Sequence, residues 1–279
     1  MALTGTCTNR VQNKIITTLQ MESYETIQVT SSRINLHLQI QPKTDKPKKQ
    51  IADFINQPCQ RQCGIVYCAR RKDTVDLAHE LKSANINAVF VHGDLNDLER
   101  RKHERAWTIG LAQVICATKS FGMGIDRKDE QFVLDMCFPE SIDDYYQGIG
   151  RAGRDGLLTL CTLFFKHEDR SFHLHNILKI EDKDYQEHKY NMNKMVKYCD
   201  SGSSCHHRCI LSYFEEVSPE CEEHCDICIG DIQSQKDCTI NACQKFSGLS
   251  TKSGLSNFGV LSAERHLMHT QFPSKVCLS

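Results

Sequence analysis

Short apolar runs separated by helix-length segments recur between residues 63 and 165, and no other feature of the chain restricts its fold as strongly. Cys63-Gly64-Ile65-Val66-Tyr67-Cys68 reads as a buried strand, and Lys72 to Ser83 carries Val75, Leu77, Ala78 and Leu81 at helical spacing. An apolar run at 88–91, a charged helical stretch at 97–107, a strand at 112–117 and further apolar runs at 132–137 and 158–165 continue the pattern. Parallel strands need a crossover that covers the sheet face, and a helix supplies it. The expected class is therefore α/β, a parallel sheet with flanking helices.

The strand signal stops after residue 166. Helical periodicity follows at roughly 168–180, 184–199 and 205–216, interrupted and closed by a cysteine cluster, so a small helical subdomain is expected there. Upstream, "QPKTDKPKKQ" (41–50) reads as a solvated, lysine-rich linker. The last residues, 231–279, are rich in Ser, Gly, Gln and Lys with weak periodicity and read as a poorly ordered tail. A chain of 279 residues accommodates these as two unequal units.

A net charge of -1 singles out neither nucleic acid nor membrane, although a basic groove can hide in a neutral average. No apolar run approaches the ~20 residues of a membrane span, and "MALTGTC" lacks the pattern of a signal peptide. The expectation is a soluble, intracellular protein with no membrane contact. Sixteen cysteines spread through strand signals as well as a cluster fit reduced thiols plus one metal site better than a disulfide scaffold.

Two loops point to phosphate. "ATKSFGMGIDRKD" (117–129) follows a strand, and its Gly122 and Gly124 allow close backbone approach. "QGIGRAGRDG" (147–156) sets Arg151 and Arg154 three positions apart among four glycines. Guanidinium groups bridge phosphate oxygens in bidentate fashion and neutralise charge on a γ-phosphate during transfer. Ligands of open parallel sheets collect at the carboxyl ends of strands, where both loops are expected.

"FGMGID" followed by "YYQGIGRAGRDG" resembles motifs V and VI of RecQ-type DNA helicases of superfamily 2. "GIVYCARRKD" (64–73) is similar to motif IV, "VHGDL" (91–95) continues the likeness, and "MALTGTC" looks like motif III. The likeness covers about residues 1–230 and implies a RecA-like lobe (45–166) and a helical zinc-binding subdomain (167–230), preceded by a remnant of a first motor lobe and linker (1–44). It implies that Arg154 is the arginine finger, Arg151 its partner at the phosphates, and Gln147 a coupling residue. Asp126, Gly124 and Gly150 fall at the nucleotide side, and Arg71, His92 and Thr118 along the DNA track. Gly148 departs from the family, which usually has Glu there. Neither a G-x-x-x-x-G-K-[ST] loop nor a DEAH-like box occurs, so the first lobe, which would hold ATP and Mg²⁺, is missing from this sequence.

"YCDSGSSCHHRCILSYFEEVSPECEEHCDIC" (198–228) contains a zinc half-site, Cys225-x-x-Cys228, with Cys221 at a permitted spacing before it. Spacing alone leaves the fourth ligand open among Cys199, Cys205, His206, His207 and Cys209. The resemblance implies Cys205, Cys221, Cys225 and Cys228. Cys68, Cys116, Cys137 and Cys161 read as small core residues, and His167, His173 and His175 as helix surface.

The resemblance thus implies part of an ATP-dependent 3′ to 5′ helicase acting on single-stranded and branched DNA in the nucleus, with a first RecA-like lobe as its partner. The competing expectation is a non-catalytic nucleic-acid-binding or regulatory fragment. The isolated chain is expected not to hydrolyse ATP.

Overall fold

The computed structural model describes residues 2–119, 121, 127, 129–179, 182–218, 221 and 224–230. The expected tail at 231–279, together with Gly122, Gly124 and Asp126, lies outside the described residues.

The elements are α1 (Asn9–Thr18), β1 (Leu36–Pro42), α2 (Pro47–Asn56), β2 (Gly64–Tyr67), α3 (Arg71–Ser83), β3 (Ala88–Val91), α4 (Asp97–Thr108), β4 (Val114–Ala117), β5 (Phe132–Asp135), α5 (Ile142–Ile149), β6 (Thr159–Phe165), α6 (Asp169–Ile177), α7 (Asp182–Cys199) and α8 (His206–Tyr213). Six strands form one sheet in the order β1-β6-β5-β2-β4-β3, and every pairing is parallel. The α/β expectation holds. Strands β2, β4 and β5 are buried at all four positions, which is why they read as continuous apolar runs rather than as alternation.

Alternate strand residues serve the two faces. Val66, Cys116, Phe132 and Leu134 pack with Ile51, Ile55, Leu77 and Leu81 of α2 and α3. Ile65, Tyr67, Ile115, Val133 and Cys161 share the opposite cluster with Trp107, Tyr145, Met192, Met195, Tyr198, Ile210 and Phe214. The helices after β6 therefore complete the sheet's own core. Each fully buried aromatic such as Phe214 contributes about 2–3 kcal/mol by burial.

Two expectations need correction. The lysine-rich stretch at 41–50 is not a free loop. Pro42 ends β1, and Pro47 opens α2 at a position where its missing N–H costs nothing. Lys48 then pairs with Asp76 at 2.8 Å. Strand β1 itself, inside the segment read as remnant and linker, forms the sheet edge against β6 over seven residue pairs. His173 is not helix surface either. It is buried, and its Nε2 lies 2.8 Å from the carbonyl of Phe138. Burial pushes its imidazole below the usual histidine range.

Candidate functional site

Helix α5 begins at Ser141, whose hydroxyl accepts the N–H of Asp144 at 3.0 Å, with Asp143 and Asp144 in the first turn to favour the dipole. Its buried face is Ile142, Tyr145, Tyr146 and Ile149, which leaves Gln147 exposed. The chain ahead of α5 leaves the carboxyl end of β5, and the helix carries it back. Consequently the loop at 150–157 does not sit at the carboxyl ends of the strands. Its backbone is bonded to residues just ahead of β1, β5 and β6: Gly153 N–H donates to the Glu130 carbonyl at 3.3 Å, and Asn35 Nδ2 donates to the carbonyls of Gly153 and Leu157 at 2.8 and 3.1 Å.

Arg33 completes this arrangement. Its guanidinium donates to the carbonyls of Gly150, Ala152 and Gly153 at 3.3, 2.8 and 2.9 Å, and Nε donates to Asn35 Oδ1 at 3.3 Å. Gly153 has φ +60, and a Cβ there would stand 2.4 Å from Asn35 Nδ2 and 2.8 Å from Thr159 Oγ1, so only glycine fits. Sequence reading missed Arg33 and Asn35. The available signal was the polar "SSRIN" immediately before an alternating strand.

A cavity of about 520 Å³ opens beside this loop, lined by Arg33, Arg151, Arg154, Gln147, Thr30 and Ser31 among others. No carboxylate occurs among the described residues that line it, so its charged lining is three arginines, of which Arg33 is committed to the loop carbonyls. Thr6 and Gly5 also reach it, which brings the amino-terminal "LTGTC" to the arginine loop. Beneath lies Glu130, 3% exposed; burial lifts its carboxyl to about 7, against the pull of Arg154 and Arg127.

A second cavity, about 260 Å³, lies at the carboxyl ends of β2 and β5, where strand order reverses about β2; Tyr67, Lys119, Asp135, Glu140, Asp144 and His173 are among its lining. Such a reversal is where open parallel sheets bind ligands. Lys119 Nζ lies 2.7 Å from buried Asp135 and 4.2 Å from the centre of the Tyr67 ring. It also stands 2.9 Å from where a Cβ on residue 148 would be, so this ammonium borders the space above Gly148. Burial raises the Asp135 carboxyl, and Lys119 opposes the rise. Burial likewise raises the Tyr67 phenol, and Arg151 opposes it, which ties the two cavities through one ring.

The residues expected along a DNA track share one edge of the sheet. Arg71 opens α3 after β2 and pairs with Asp94 at 2.6 Å. His92 follows β3, stacked on Phe90 with ring centres 6.0 Å apart. Thr118 follows β4, and its backbone N–H donates to the Val91 carbonyl at 3.4 Å. They lie at the carboxyl ends of adjacent strands, apart from the arginine loop, whose backbone bonds go to residues ahead of the strands.

The sulfurs of Cys205, Cys221, Cys225 and Cys228 lie within 4.8 Å of one another, and Cys205 and Cys225 are 3.9 Å apart. Tetrahedral zinc with bonds of ~2.3 Å places its sulfurs ~3.8 Å apart, so the set fits a closed four-thiolate ion that braces structure and leaves no position for chemistry. The other candidates are engaged elsewhere. Cys199 is buried at the end of α7, Cys209 faces Ser201, His206 Nε2 meets Asp226 at 2.9 Å, and His207 Nε2 lies 2.9 Å from the Leu36 carbonyl.

Residues 47–156 match the helicase conserved C-terminal domain. Residues 168–229, which include all four cysteines of the cluster, match the RecQ zinc-binding domain. The chain belongs to the RecQ-type helicases. It carries their conserved C-terminal region. ATP-dependent helicase SGS1 of Saccharomyces cerevisiae is 32% identical over 86% of the chain and 17% of that protein. RecQ-like DNA helicase BLM of Xenopus laevis is 35% identical over 82% of the chain and 18% of that protein. The chain thus spans less than a fifth of the length of either relative. Dbp5 of S. cerevisiae, solved bound to RNA and ADP BeF3, superposes with a TM-score of 0.53 at 19% identity, covering 68% of this chain and 54% of that one. That likeness is one of fold, the RecA-like sheet shared with DEAD-box proteins. Among the described residues no helix of this RecQ-type chain is long and apolar enough to cross a membrane.

Proposed function

We propose that the chain supplies the arginine-bearing lobe and zinc module of an ATP-dependent DNA helicase that translocates 3′ to 5′ on single-stranded or branched DNA, in nuclear repair, recombination and replication. The observation that carries this reading is the cavity lined by Arg151 and Arg154 without a lining carboxylate among the described residues. Such a surface takes a polyanion, and a triphosphate held by a neighbouring P-loop lobe with Mg²⁺ has the required charge and reach. In this reading Arg154 meets the γ-phosphate, Arg151 supports it while leaning on Tyr67, and Gly150 lets the backbone come close. Gln147, exposed on α5, couples the loop to nucleic acid. Arg71, His92 and Thr118 line the DNA track, and Gly124 and Asp126 serve the nucleotide side. Cys205, Cys221, Cys225 and Cys228 hold zinc.

Lobe closure around ATP would complete the site, and reopening after hydrolysis would move the lobes along the strand. The arginines contribute electrostatic stabilisation only when a second lobe presents the phosphates.

The test is DNA-stimulated ATP hydrolysis by this chain alone and by the chain joined to the P-loop lobe of a RecQ-type relative. Turnover only in the joined protein is expected. Absence of turnover there, with DNA binding retained by the chain, would favour a non-catalytic nucleic-acid-binding role instead.

A further inference from the structure

We infer that Arg33 is a positioning residue for the arginine loop, a guanidinium clamp that fixes where Arg151 and Arg154 stand. The inference rests on the proposed phosphate-facing role of those two arginines for its catalytic consequence, but not for its geometry.

Helix α5 ends at Ile149 with Gly150 as its cap; the N–H groups of Gly150, Arg151 and Ala152 serve the Tyr146, Gly148 and Ile149 carbonyls, and the carbonyls from Gly150 onward take donors from elsewhere. Arg33 supplies them from a segment 117 to 120 residues away in sequence, through bonds to Gly150, Ala152 and Gly153. The three carbonyls lie within four residues of one loop, and the two terminal nitrogens of a planar fork reach them, Nη1 at Gly150 and Nη2 at Ala152 and Gly153. A lysine has one nitrogen and cannot span them. Asn35 holds the fork by accepting from Nε and itself donates to Gly153 and Leu157, so the loop is gripped from one side by two side chains of the same short segment. Gly153, with no room for a Cβ beside Asn35, allows that grip.

The segment is itself anchored. Leu36 N–H donates back to the Arg33 carbonyl at 3.1 Å, the Asn35 carbonyl accepts from Thr159 N–H at 2.9 Å, and β1 then runs along β6. Two side-chain forks thus transfer the rigidity of the sheet edge to a loop whose own sequence, rich in glycine, would not hold a fixed shape. Reorientation of a catalytic group by about 1 Å can cost ~100-fold in rate, so a clamp of this kind acts on turnover rather than on nucleotide affinity.

Two measurements test this with Arg33→Ala and Arg33→Lys. The first is hydrogen exchange at the amides of Arg151, Ala152 and Gly153, which donate to Gly148, Ile149 and Glu130 carbonyls, in this chain with zinc bound. Both variants should raise exchange there about 10-fold, while amides of β2 and β4 and the zinc content stay unchanged. The second is ATP turnover in the chain joined to a P-loop lobe. There Arg33→Ala should lower kcat ~10–100-fold with KM for ATP nearly constant, and should add nothing further on an Arg154→Ala background. Unchanged exchange at 151–153 in Arg33→Ala overturns the clamp. Full wild-type behaviour of Arg33→Lys overturns its fork geometry, leaving charge alone. An additive loss with Arg154→Ala overturns action through that arginine. If the joined wild-type protein does not turn over ATP, the functional reading fails while the exchange experiment still decides the clamp.

Discussion

Leu38 in the edge strand forms a parallel bridge with Cys225: its N–H donates to the His224 carbonyl at 3.1 Å, and its carbonyl accepts the N–H of Asp226 at 3.1 Å. The cysteine knuckle is thereby a seventh, one-residue extension of the sheet, on the far side of β1 from β6. Asp226 strengthens the joint, accepting from Ile40 N–H at 3.0 Å while meeting His206 at 2.9 Å.

Removing zinc should therefore reach past the cysteines. Cys225→Ser is expected to abolish stoichiometric zinc and to raise hydrogen exchange at Leu38 and Ile40, because the knuckle loses the ion that holds its shape. Loss of zinc with those amides still fully protected would show that the edge strand is stable without the knuckle.

Gly153→Ala should destabilise the fold by about 1–3 kcal/mol, since the position combines a left-handed backbone with a contact of 2.4 Å to Asn35 Nδ2. Gly156→Ala shares the positive φ but meets nothing within 4 Å, and should cost less, about 1 kcal/mol. Urea denaturation of the two variants distinguishes the contact from the backbone effect.

Lys119→Met removes the ammonium paired with fully buried Asp135. The expected loss is about 2–3 kcal/mol, below that of a wholly buried pair because a third of the lysine side chain is exposed. Adding Asp135→Asn should recover most of it, and an additive second loss would mean that the two do not act as a pair.

Glu130 gives the chain a pH dependence of definite sign. Burial raises its carboxyl from 4.5 to about 7 in the fold, so the folded state holds its proton more tightly than the unfolded state. Its stabilising contribution is full below the unfolded value, and is lost as pH rises through the folded one; the swing is about 2–3 kcal/mol between those limits. Glu130→Gln should flatten the difference in stability measured at about pH 5 and about pH 8 by that amount. An unchanged slope would show that the carboxylate is compensated by Arg127 and Arg154.

The lobe was legible because its strands are buried on both faces and its loops carry paired glycines and arginines at fixed offsets. Runs such as Gly64–Tyr67 and Val114–Ala117 could be little else. Strand β1 was not legible: at the sheet edge Leu36 and Leu38 are buried while His37 and Gln39 are only half-covered, which leaves a short alternating run that leads into prolines and lysines. Among the cysteines, spacing could not separate Cys205 from Cys209, one helical turn apart. In space only Cys205 joins the other three, because it caps α8 at the end facing the knuckle. Arg33 and Lys119 escaped notice for a related reason. Arg33's carbonyl partners lie far along the chain, Lys119's partner is a buried aspartate on the following strand, and a single cation in a polar stretch carries no periodic signal.

Arg154→Ala in the chain joined to a P-loop lobe, read as ATP turnover with DNA present, tests the arginine finger most directly. A fall in kcat of ~1,000-fold or more with KM for ATP changed less than ~3-fold is expected, as for loss of a finger that acts on the transferring phosphoryl group. Turnover that survives the substitution would contradict it.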